Sequence, residues 1–147
     1  MKRHEALEQL SRDHHQALFQ AMRLKRAEPE NTGEVVGDFL DFWFTVGYLH
    51  FRAEEEVLLP AYSAYGDVSR EEVIRVLVDH AEIRREAHEL GATKEHPPPE
   101  RLHALGQRLD EHVRHEERVL FPLIEEALPE DELARVARAV DEVEHAA

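Results

Sequence analysis

The chain has 147 residues, enough for one domain with its own core, and 42% hydrophobic against 34% charged residues exclude both a disordered tail and a membrane protein. A formal net charge of −14 argues against nucleic-acid binding, because a phosphate backbone would be repelled, and fits solubility better than the steering of a basic partner. There is no cysteine, which removes disulfides, thiolate metal sites and cysteine nucleophiles; histidine, at 11 residues, is unusually frequent.

The first segment, MKRHEALEQLSRDHH and onward, has no apolar signal core, so a cytoplasmic protein is expected. The spacing predicts a helix from about 2 to 27, ended by EPENTG. A second helix is expected from about 34 to 62; its longest apolar stretch, near Phe39–Phe51, is interrupted by Asp41 and His50 and is too short to span a bilayer. AYGDVS follows, with Ser69 and Glu72 spaced as a capping box for a third helix from about 70 to 92. TKEHPPPE breaks the chain before a fourth helix, about 100–127, and Pro129 suits the first turn of a short fifth helix, about 130–145. No segment alternates with period two. The expected fold is all-α: a single up-down-up-down four-helix bundle spanning 1–147, with the fifth helix packed outside.

Two stretches repeat. HFRAEEEVLLP at 50–60 and HVRHEERVLFP at 112–122 share His, Arg, Glu-Glu, Val-Leu and Pro at the same steps. Pro60 and Pro122 are expected to end or kink their helices just past the shared motif. Residues i, i+3, i+4 and i+7 share a helix face. That face holds Phe39, Trp43, Val46, His50, Glu54 and Val57 in segment two, and Leu102, Leu105, Leu109, His112, Glu116, Val119 and Leu123 in segment four. In segment three it holds Val73, Val76, Leu77, His80, Ile83, Ala87 and Leu90; in segment one, Leu7, Leu10, His14, Ala17, Leu18, Ala21 and Leu24. His14 is preferred to His15, which lies toward the edge of the arc, because Asp13-His14 with Ala21 and Leu24 matches Asp79-His80 with Ala87 and Leu90. The chain thus reads as two copies of one unit: a helix with an inward His, then a helix with inward His-x-x-x-Glu.

His14, His50, Glu54, His80, His112 and Glu116 would then share one core. A buried, unpaired carboxylate is costly. A metal-free His–Glu network would need every group satisfied, whereas cations neutralise the carboxylates and use the imidazole lone pairs. Nitrogen and oxygen donors without sulfur suit iron, manganese or zinc. Six ligands exceed one tetrahedral zinc site, and two carboxylates can bridge a pair of ions about 3.5–4 Å apart. Glu55, Glu56 and Glu117 are expected to be solvated surface.

The pattern H…HxxxE…H…HxxxE, with EExxLxP or EExxLFP after the second and fourth His, resembles the hemerythrin-like (HHE cation-binding) family from Leu10 through Leu123. The resemblance implies two iron ions bridged by Glu54, Glu116 and an oxo or hydroxo group. It also implies binding of dioxygen or another small oxidant at an open iron position. Two departures matter. The oxygen carriers have a second inward His four residues after the first on the third helix. Here that position is Arg84, with His88 further on at the edge of the stripe. They also use Asp rather than Glu late in the fourth helix. The missing His is expected to widen the opening at the second iron. Arg84 either points at the site, donating to an anion or a carboxylate, or snorkels to a surface acid. Three functions compete: a binding or sensing module needing an unidentified protein partner for output; an enzyme acting on peroxide or nitric oxide, with Trp43, Tyr48, Tyr62 or Tyr65 supplying electrons; and a metal-stabilised structural bundle.

Overall fold

The computed structural model describes residues 2–145. A short 3-10 turn, Glu5–Leu7, leads into α1, Glu8–Lys25. Helix α2 runs without a break over residues 32–63, α3 is Glu71–Ala92, α4 runs over residues 99–127, and α5 is Glu130–Glu144. The described residues contain no strand, and none of their helices is long and apolar enough to cross a membrane. Pro98 and Pro99 open α4, where a missing N–H costs nothing, and Glu130, Asp131 and Glu132 place negative charge on the positive end of the α5 dipole. The expected capping box does not form. Asp67 takes both the Ser69 N–H (2.8 Å) and its hydroxyl (2.6 Å), Glu72 accepts from Arg70 instead, and α3 starts after Arg70 without a side-chain cap.

Neither Pro60 nor Pro122 ends its helix. Each is preceded by a π-helical turn, Glu54–Leu58 or Glu116–Leu120, in which the Leu59 N–H donates to the Glu54 carbonyl and the Phe121 N–H to that of Glu116. In α geometry a proline ring collides with the carbonyl four residues back; the wider turn relieves that contact. A third π turn, Trp43–Gly47, lies earlier in α2. Each π turn adds one residue, which moves the inward stripe one place along the chain. Leu58 and Leu120 are therefore fully buried, whereas Val57 is half-buried and Val119 is 37% exposed, against the simple helical period. Leu77 also departs from expectation at 40% exposed, because the packed face of α3 narrows to Val73, Val76, His80, Ile83 and Ala87.

The core consists of two apolar clusters. One gathers Leu7, Leu10, Leu58, Tyr62, Val73, Val76, Leu120, Phe121 and Ile124, and is closed by Leu133, Val136 and Val140 of α5. The other gathers Ala17, Leu24, Phe39, Trp43, Phe51, Ile83, Ala87, Leu102, Leu109 and Val113. Helices α1 and α3 pass from the first cluster to the second, and α2 and α4 from the second to the first. Gly106 lets α4 press against α1: a Cβ there would lie 2.7 Å from the Ala21 carbonyl oxygen. All four long helices leave one cluster and enter the other through a layer of buried histidine and glutamate.

Candidate metal centre

That layer is made of the six residues singled out by the repeat. His14, His50, His80 and His112 are 1–4% exposed, and Glu54 and Glu116 are 0% exposed. His15 is exposed, one step round the helix from His14. The side chains form two overlapping groups, His14–His50–Glu54–Glu116 and Glu54–His80–His112–Glu116, whose ligand atoms lie within 4.8 Å of one another. Both glutamates belong to both groups, and each divides its oxygens. Glu116 Oε1 lies 2.8 Å from His14 Nε2, while its Oε2 lies 3.1 Å from His112 Nε2. Glu54 Oε2 lies 3.0 Å from His50 Nε2, while its Oε1 lies 3.0 Å from His80 Nε2.

His14 Nε2 and His80 Nε2 are hydrogen-bonded to Glu116, but the other close approaches are not hydrogen bonds. His50 Nε2, His112 Nε2 and both Glu54 oxygens are buried with no hydrogen-bond partner, since their contacts are short but misaligned. Such orphaned groups cost free energy in an apolar core. Lone pairs converging on a common centre fit cations, which need donors aimed inward rather than at each other. The residues present therefore fit the metal that this pattern implies.

A ring of four carboxylates encloses the layer. Each imidazole directs Nδ1 outward: His50 to Asp13 (2.9 Å), His112 to Asp79 (3.1 Å), His80 to Glu55 (2.6 Å) and His14 to Glu117 (2.6 Å). An Nδ1–H donated outward fixes the tautomer and turns the Nε2 lone pair to the centre. Glu55 and Glu117 are thus not solvated surface as their helical positions suggest; only Glu56 is, paired with Arg52. The signal lay in the repeat: both the Asp before the lone His and the second Glu of each Glu-Glu pair are duplicated with the ligand motif. Ser11 and Arg3 also donate to Glu117, and Arg84 donates to Glu55 at 2.6 Å.

Without metal, these groups share protons. Burial pushes the His80 imidazole down, but its close contacts with the Glu116, Glu54 and Glu55 carboxylates outweigh it and raise it to about 10. Burial raises Glu55 and Glu117, yet His80 with Arg84, and His14 with Ser11, hold each at about 2. Burial, contact with Asp13 and the charge there push Glu144 up to about 8.

Arg84 does not reach the centre. Its guanidinium pairs with Glu55 and lies 5.5 Å from the Phe51 ring centroid. Phe51 stacks flat on His80 at 3.8 Å, so an aromatic ring covers the imidazole face beside which a wider opening was expected. The void next to the centre lies elsewhere: a cavity of about 20 Å³ touching His14, His50 and His112 and walled by Phe39, Trp43 and Phe51.

A family model, the hemerythrin HHE cation-binding domain, matches residues 6–124. Comparison with curated proteins and with solved structures found no match. With most of its length accounted for by that model, the chain belongs to the hemerythrin HHE cation-binding domain family.

Proposed function

We propose that this protein is a non-haem di-iron protein that binds or senses dioxygen or a comparably small oxidant. In this reading residues 1–147 form one domain, an up-down-up-down four-helix bundle. The alternating order in which α1 to α4 cross the two clusters supports that topology. His14 and His50 with Glu54 and Glu116 would hold one ion, and His80 and His112 with the same two glutamates would hold the other. The observation that carries the reading is the division of each glutamate's two oxygens between the two histidine pairs. Donors of nitrogen and oxygen only, with no sulfur, suit iron. Bound iron would supply the electrons that a small oxidant takes up. The chain's own part is to orient the donors through the carboxylate ring, to exclude water with Phe39, Phe51 and Phe121, and to restrict what enters. A cavity of about 20 Å³, room for a water-sized ligand, suits a small oxidant.

Metal analysis with visible spectroscopy, before and after exposure to oxygen, tests this. Protein from iron-supplied cells is expected to carry two irons per chain, with an absorption band that responds to oxygen. A fully loaded preparation holding one zinc and no dinuclear signal overturns it.

A further inference from the structure

The cavity beside the metal centre is narrow and walled by aromatic rings, which raises the question of how anything reaches it. On the outer surface between α2 and α3 lies an open groove lined by Trp43, Phe44, Arg84, Arg85 and His88, with Glu89 at its rim. Trp43 lines both the groove and the inner cavity, and is the one residue common to the two linings. Its side chain is 7% exposed, so it stands as a partition one residue thick between solvent and the cavity at His14, His50 and His112. It is not locked by a hydrogen-bond partner on a neighbouring helix; it meets Phe51 edge-on at 5.2 Å. It also begins the π turn Trp43–Gly47, and the room its indole occupies depends on Gly47, where a Cβ would fall 2.8 Å from the ring.

We propose that Trp43 is the gate through which small ligands enter and leave the metal centre, and that its indole sets the size of what passes. The proposal rests on the small-ligand reading of the site. A gate slows entry and exit alike, so its removal accelerates both and leaves affinity unchanged, whereas a residue that contacts the ligand alters affinity.

Azide is the probe, with association and dissociation followed by stopped-flow on the visible band of the iron-loaded protein. Trp43→Ala is expected to raise both rates about tenfold or more while Kd stays within about threefold, because binding no longer waits on a side-chain movement. Trp43→Phe, which preserves most of the packing, is expected to give a smaller acceleration of the same kind and is the deciding variant if Trp43→Ala loses metal. Phe44→Ala, which alters the groove alone, is expected to match the parent. If Trp43→Phe and any metal-retaining Trp43→Ala protein bind azide at parental rates, or if Kd changes in proportion to one rate only, Trp43 is not the gate. If azide produces no spectral change in the parent at any concentration, the centre has no open position. That outcome overturns the small-ligand reading, and the gate with it.

Discussion

His80 is held from behind by Glu55: the imidazole Nδ1 and the Glu55 Oε2 are 2.6 Å apart, on residues drawn from different helices. The same relation joins His14 to Glu117 across α1 and α4. These carboxylates orient the ring whose other nitrogen faces the centre. Glu55→Ala and Glu117→Ala are therefore expected to weaken metal binding by about 10–100-fold, as loss of an outer-shell partner does elsewhere. Glu56→Ala, on the exposed side of the same turn, is expected to leave it unchanged. Competition with a chelator provides the measurement, and equal retention in all three variants would refute the positioning role.

The π turns make a register prediction that a simple helix does not. Leu58→Ala and Leu120→Ala empty fully buried positions and are each expected to cost about 2–5 kcal/mol. Val119→Ala, at a position 37% exposed, is expected to cost about 0.5 kcal/mol or less. Urea denaturation of the three variants decides it; a larger loss at Val119 than at Leu120 would mean that α4 continues in α register past Glu116.

The metal-free and metal-loaded forms are expected to respond to pH with opposite signs. In the metal-free chain the His80 imidazole sits at about 10 against an ordinary 6.5, so its contribution is fully present below 6.5 and is lost as pH rises toward 10. Glu55 and Glu117, held at about 2 against an ordinary 4.5, contribute above 4.5 and lose that contribution as pH falls toward 2. Metal, by contrast, needs the imidazoles neutral, and protons compete with it as pH falls. The difference in Tm between loaded and metal-free protein should accordingly widen from pH 6 to pH 9, read by scanning calorimetry at each pH. A difference that narrows over that range would contradict the network described.

Arg84 acts through Glu55. Burial raises the Glu55 carboxyl, and its hydrogen bonds to His80 and then Arg84 lower it. Removing the guanidinium in Arg84→Ala returns Glu55 toward its ordinary range, so a proton displaces the His80 contact at a higher pH than in the parent. Iron loss during acid titration is expected at a higher pH midpoint, with both irons retained at neutral pH. Arg84→His is expected to add no ligand, because this position lies outside Phe51. An unshifted midpoint in Arg84→Ala would leave Arg84 as a surface ion pair only.

The helices and the six converging residues were legible in the sequence because both depend on short-range geometry. A period near 3.6 puts His50 with Glu54, and His112 with Glu116, on one face, and duplication of the unit marks His14 and His80 by the same logic. What surrounds those residues depends on contacts between helices. Glu55 and Glu117 lie one step beyond the inward Glu and read as surface until α3 and α1 bring His80 and His14 against them. For Arg84 the sequence leaves two directions open, toward the site or toward an acid, and the packing of Phe51 and Glu55 from α2 decides for the acid. Pro60 and Pro122 read as helix breaks because a proline cannot fit a regular α turn. Only the packed structure shows the wider turns that accept them, and with those turns comes the one-place shift that buries Leu58 and Leu120. Local periodicity cannot encode that shift, since a π turn is a small irregularity held in place by the buried side chains on either side of it.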